Sequence, residues 1–260
     1  MTTDIVADGH RLETLLIPAT RPAAPALVLL HEGLGSIALW RDLPQQLAKA
    51  TGCAVLAYSR HGHGASDALT VPRTVCYMHD EALLVLPEVL AAFGIERPIL
   101  IGHSDGASIA LIHAALGAGQ GAHPLAGLVL LAPHVFVEDI TIASIAAIGR
   151  TFAETDMGVR MGRYHADPVG VFQGWHRIWL DPAFRAWNIE AGLGAITCPV
   201  LLIQGADDEY GTLAQIDAIG AAVSGPVERL VLEACGHSPQ RDQPDATLGA
   251  LSAFVARLSR

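Results

Sequence analysis

Lysine is almost missing from this chain: Lys49 is the only one among 260 residues. With 16 basic against 26 acidic side chains, a net charge of −10 and no cluster of Lys or Arg, the sequence lacks the basic face that nucleic acid or an anionic membrane surface requires. Cysteine is scarce too. Cys53, Cys76, Cys198 and Cys235 are widely spaced and form no Cys-x-x-Cys pair, which excludes a disulfide framework and a zinc-finger pattern and leaves them as reduced packing residues. The twelve histidines never fall into His-x-x-x-His or His-Glu-x-x-His spacing, so no metal or other cofactor is expected. No apolar run is long enough to span a bilayer, and the first thirty residues contain no basic segment followed by an apolar core and a small-residue cleavage site. The expectation is a soluble cytoplasmic protein. Nothing in the sequence specifies an oligomeric state.

What is present is a strongly apolar chain, 51 % hydrophobic, large enough for one α/β domain with an insertion. Residues 4 to 17 read as a hairpin turned at Asp8-Gly9-His10. Four runs are apolar throughout, as in strands covered on both faces: residues 26–30, 98–101, 128–131 and 199–203. Strands are also expected at 54–58 and 227–232, and helices at 40–50, from Asp80 to Phe93 with Gly94 as C-cap, at 212–223 and at 244–258. The alternation implies parallel strands joined by right-handed crossovers. It breaks between about Pro133 and Leu193, where helices are expected at 140–151 and 155–165 and three of the four tryptophans gather. An aromatic, helical insertion there reads as a cap.

The organising stretch is Gly102-His103-Ser104-Asp105-Gly106, a Gly-x-Ser-x-Gly pattern set between an apolar run and a small-residue helical run. A sharp strand-to-helix turn puts Ser104 in a strained conformation and excludes bulky neighbours, which the two glycines satisfy. A serine hydroxyl is a weak nucleophile and needs a base, and that base needs a group to fix its tautomer. His237 lies in the loop after one later strand, and Asp207 and Asp208 lie in the loop after the strand before it, so all project from the edge that carries Ser104.

Five features then fall in one order: the His31-Glu32-Gly33-Leu34-Gly35 loop, the Arg60-x-Gly62-x-Gly64-x-Ser66 loop, the elbow, Gly205-x-x-Asp208 and Gly236-His237. In these the chain resembles the α/β-hydrolase family over nearly its full length. The resemblance implies an α/β-hydrolase fold, a mostly parallel eight-stranded sheet with helices on both faces. Residues 1–132 and 194–260 would form the core and 133–193 a small helical cap. It implies Ser104 as nucleophile, His237 as base and Asp208 as orienting acid, with Asp207 as runner-up. The oxyanion donors would be the backbone N–H of Asp105 and that of Gly33, with Leu34 second. The chain departs from the family at Glu32, where glycine is common. Glu32, Leu34, Trp175, Trp179 and His165 are expected on a small-molecule substrate, whereas His103 and the Asp105 side chain are expected to tune the elbow.

The implied activity is hydrolysis of a small carboxylic ester, lactone or thioester through an acyl-serine. The alternatives are hydrolysis of a carbon–carbon bond in a ring-cleavage diketone, or a member that binds a small molecule without catalysis. Serine in place of aspartate at the elbow disfavours the dehalogenase and epoxide hydrolase branches, whose nucleophile is a carboxylate.

Overall fold

A computed structural model describes residues 2–22, 24–117 and 124–259. Its strands are β1 (Thr2–Ala7), β2 (His10–Ile17), β3 (Leu27–Leu30), β4 (Val55–Tyr58), β5 (Ile99–His103), β6 (Gly127–Leu131), β7 (Val200–Gly205) and β8 (Val227–Leu232), in the order β1-β2-β4-β3-β5-β6-β7-β8. β3 to β8 run parallel, and the β1–β2 hairpin joins them antiparallel through β4. Asp8 and Gly9 turn the hairpin at positive φ, the hand that matches strand twist.

The helices are α1 (Leu43–Thr51), α2 (Tyr77–Asp80), α3 (Leu86–Ala92), α4 (Asp105–Leu116), α5 (Asp139–Glu154), α6 (Met157–Met161), α7 (Pro168–Trp179), α8 (Ala214–Ala222), α9 (Pro239–Asp242) and α10 (Pro244–Leu258). Period-2 alternation sends Leu27, Leu29, Ile101 and Val129 to one face, under α1 and α10. Val28, Leu30, Leu100 and Leu128 go to the other, under the helices from α2 to α4 and α8. Both faces are apolar because both are covered.

The differences from expectation lie in the helices. The first expected helix is split, because Arg41 stands at φ 50 between a 3₁₀ turn, Ile37–Trp40, and α1. The expected Asp80 helix begins three residues earlier and passes through a π turn, Glu81–Val85, between α2 and α3. Pro87 follows two residues after Val85; it lacks an N–H for the Leu83 carbonyl, and the wider turn gives its ring room. The helix expected at 155–165 is only the short α6, which stops before Gly162. The long second helix of this segment is α7, started by Pro168 and by the Asp167 side chain, which accepts from the Gly170 N–H.

The chain leaves β3 for β4 on one side, then crosses back to β5 on the other. The crevice opened by that reversal lies beyond the carboxyl ends of β3 and β5, and it receives the His31 loop and Ser104. None of the described helices is long and apolar enough to cross a membrane.

Candidate active site

Ser104 sits at φ 52, ψ −117, a conformation L-residues rarely adopt. The elbow is tight enough to dictate its neighbours. A Cβ on Gly106 would stand 2.0 Å from the Leu30 carbonyl oxygen, and one on Gly102 would stand 2.3 Å from that of Gly106.

The Ser104 hydroxyl donates to His237 Nε2 at 2.9 Å, and His237 Nδ1–H donates to Asp208 at 2.8 Å (Oδ1) and 3.0 Å (Oδ2). Asp208 also accepts from the N–H groups of Tyr210 and Gly211 and from the Gln204 amide. Burial pushes the Asp208 carboxyl up, but its hydrogen bond to His237 and the Tyr210 N–H outweigh that and hold it below the ordinary carboxylate value. Asp207, the other expected acid, points into solvent. Gly205 lets the two loops meet, since a Cβ there would lie 2.1 Å from the Cys235 carbonyl oxygen.

The His31 loop is tied to the elbow through Arg60. This buried guanidinium donates to the carbonyls of His31 (2.8 Å) and Glu32 (3.0 Å) and faces the Asp105 carboxylate at 3.8 Å. Asp105 also accepts from the Tyr77 hydroxyl (2.6 Å) and the Trp179 indole N–H (3.3 Å). His31 is held neutral, first by burial and then by the Arg60 charge. Its Nδ1–H donates to the Glu32 carbonyl, and its Nε2 accepts from the Arg60 N–H. The Glu32 carboxylate takes the Leu34 N–H at 2.5 Å, so of the two expected loop donors only the Gly33 N–H is left uncommitted by that contact. Burial raises the Glu32 carboxyl, and nearby Asp105 adds to the shift although the Leu34 N–H works against it.

A cavity of about 230 Å³ opens over Ser104, and residues between β6 and β7 form much of its wall. Glu32, Gly33, Leu34, Trp175 and Trp179 line it. The Trp175 indole lies where a side chain at 33 would be, 2.2 Å from an added Cβ. His165 does not line it. Contrary to expectation, its Nε2–H donates to the Leu34 carbonyl (2.9 Å) and its Nδ1 accepts from the Gly64 N–H (3.0 Å), so both nitrogens are spent holding loops together.

Two cavity residues carry more than the sequence reading assigned. His103 donates from Nε2 to the His237 carbonyl at 2.7 Å and accepts from Gln240 at Nδ1, which steadies the loop carrying His237. His134, which that reading missed, stands with its ring 5.2 Å from Trp179 and 5.6 Å from His237. Its position just after an apolar strand, at the edge where this architecture places ligand groups, was the available signal. Burial, with the neighbouring His237, pushes the pKa of both imidazoles down to about 3. Among the described residues, no group of three or more His, Cys, Asp or Glu side chains is placed to hold a metal ion.

The comparisons agree on the fold and diverge on activity. A 2-succinyl-6-hydroxy-2,4-cyclohexadiene-1-carboxylate synthase from Enterobacter sp. (strain 638) is 27 % identical over 267 residues, covering 91 % of this chain and 94 % of that protein. Epoxide hydrolase A from Mycobacterium tuberculosis (strain ATCC 25618 / H37Rv) is 23 % identical over 320 residues, covering 98 % of each. The crystal structure of VinJ superposes with a TM-score of 0.78 at 21 % identity, covering 99 % of both chains. The profile described as "Alpha/beta hydrolase family" matches residues 27–250, and with the sheet order and the elbow already described, the chain belongs to the alpha/beta hydrolase family.

Proposed function

We propose that this protein is a serine hydrolase that cleaves a small carboxylic ester, lactone or thioester. The reading is carried by one observation, the unbroken line from Ser104 Oγ through His237 to Asp208, at 2.9 and 2.8 Å. His237 takes the Ser104 proton as Oγ attacks the carbonyl carbon, and Asp208 keeps the imidazole in the tautomer whose Nε2 is free to accept it. The N–H groups of Gly33 and Asp105 receive the oxyanion. The bond to the leaving group breaks, the leaving oxygen or sulfur takes the proton from His237, and the acyl group remains on Ser104. Water, deprotonated by the same imidazole, then releases the acid. Residues 133–193 act as a cap in this reading, with 1–132 and 194–260 as core. Trp175 and Trp179 supply flat apolar walls for a small acyl group.

The test is a panel of p-nitrophenyl esters of graded acyl length, with thioesters, lactones and a coloured ring-cleavage diketone, run on wild type and Ser104→Ala. Ester, lactone or thioester turnover that falls on the order of a thousandfold or more in Ser104→Ala is expected. Turnover of the diketone alone, or turnover indifferent to the substitution, overturns the reading.

A further inference from the structure

His134 lines the cavity over Ser104 and is only 2 % exposed. Its two ring nitrogens are placed differently. Nδ1 is sealed without a hydrogen-bond partner, on the ring edge turned to the acid loop, where a Cβ added to Gly211 would stand 3.1 Å from Cε1 and 3.4 Å from Nδ1. Nε2 has no hydrogen-bond partner among the described residues either, but it is not sealed, and the space it is open to is the cavity that the residue lines. Native folds tolerate an unpaired buried acceptor better than an unpaired buried N–H, which puts the proton on Nε2. The ring is held in this attitude: Trp179 meets it edge to face at 5.2 Å, and the Ser108 hydroxyl donates to the His134 carbonyl at 2.6 Å.

An N–H open to a cavity and bonded to nothing in the protein is a donor left for what the cavity holds. Water meets such a group in the free protein, and a substrate that displaces this water has to supply an acceptor or leave the N–H unpaired. That acceptor is an uncharged oxygen. Burial, and after it the neighbouring His237, push the imidazole down to about 3, so it offers no positive charge. Glu32 and Glu209 line the same cavity, and Arg241 in its lining is paired with Asp242 at 3.2 Å. The His134 ring lies 5.6 Å from that of His237, whose Nε2 is 2.9 Å from Ser104 Oγ. An oxygen within hydrogen-bond reach of His134 is therefore separated from the reacting carbonyl by only a few bonds.

We infer that His134 is a substrate-binding residue that donates from Nε2–H to a second, uncharged oxygen of the substrate, a few bonds from the carbonyl that Ser104 attacks. The inference rests on the acyl-serine reading above and narrows its substrate to an oxo ester.

The experiment uses Ser104→Ala protein, which leaves esters intact, and NMR titration with two pairs of esters. Methyl 4-oxopentanoate against methyl pentanoate places the added oxygen in the acyl half, and 2-oxopropyl butyrate against propyl butyrate places it in the alcohol half. In one pair the oxo ester is expected to bind about fivefold tighter, as one net hydrogen bond gives, and to shift the His134 Nε2–H resonance, identified by its absence in His134→Phe. His134→Phe keeps a flat ring against Trp179 without the nitrogen, and there the advantage is expected to fall below about twofold. His134→Gln, whose amide nitrogen can stand about where Nε2 does, is expected to keep about threefold or more. A histidine that only packs would change both members of a pair alike. Equal affinity within both pairs overturns the inference, and this comparison in the Ser104→Ala parent needs no change at 134. An advantage that survives His134→Phe, or a loss as complete in His134→Gln, overturns it as well. Wild-type turnover is measured separately: failure to hydrolyse any of the four esters counts against the acyl-serine reading, while the binding comparison still decides what His134 holds.

Discussion

The Arg60 guanidinium lies 3.8 Å from the Asp105 carboxylate, with side-chain exposures of 2 % and 0 %. The cation comes from the loop after β4 and the anion from the residue beside Ser104, and the same guanidinium holds two carbonyls of the His31 loop. Removing one partner of a buried pair strands the other, at about 3–5 kcal/mol. Arg60→Met is expected to lower stability by that amount in urea denaturation. Arg60→Lys, which keeps the charge but not the fork, should fall between it and wild type.

Asp208 and Asp207 should separate cleanly in kinetics. Asp208→Asn leaves the geometry but presents the wrong group to His237 Nδ1, and a loss on the order of 10⁴ in kcat is expected on whichever ester proves best. Asp207, exposed and out of reach of the imidazole, should tolerate asparagine with less than about a twofold change.

Stability should fall steeply below neutral pH. His103 and His134 titrate near pH 3 in the folded protein, lowered first by burial, against an ordinary value of 6.5, and burial also holds His31 and His63 well below it. A folded pKa below the unfolded one means the unfolded chain binds more protons. The stabilisation is therefore complete above about pH 6.5 and is lost as pH falls toward 3. For His103 and His134 the loss by pH 5 is on the order of 2 kcal/mol each. The carboxyls of Glu32 and Glu81, raised by burial, act with the opposite sign between the unfolded value near 4.5 and their higher folded one, and they are too few to cancel four histidines. Urea midpoints at pH 7, 6 and 5 check this, and His134→Asn should flatten the slope.

Glu32→Gln keeps an acceptor for the Leu34 N–H while removing a charge beside the developing oxyanion. Activity on neutral esters is expected to stay within a few-fold of wild type or to rise. Glu32→Ala frees the Leu34 N–H and loosens the loop, and a loss of about ten- to a hundredfold in kcat/KM is expected, the worth of a hydrogen bond to a charged group. If alanine is as active as glutamine, the loop does not depend on that contact.

The strands were legible in the sequence because their cause is local. A run such as 128–131, apolar throughout and short, suits a strand covered on both sides, and glycines at 102 and 106 announce a turn with no room for a side chain. The helices between β6 and β7 were read less well. Their boundaries follow caps such as Asp167-Pro168 rather than periodicity, so the helix expected at 155–165 is only the short α6, and α7 was not delimited.

That Ser104, His237 and an acid from residues 207–208 share one edge was legible in strand order, because each ends or follows a strand; their proposed roles came from the family resemblance. Which of two adjacent aspartates turns inward could not be read there, since neighbours on a loop point opposite ways and only the packed His237 ring selects one. The same holds for His165, which stands among aromatic residues in the chain but spends both nitrogens on loop backbone. Its two partners, the Leu34 carbonyl and the Gly64 N–H, lie 131 and 101 residues away in the chain. Local chemistry sets the elements and which residue types stand at the sheet edge; the direction of each side chain is decided by what packs against it from a distant part of the chain.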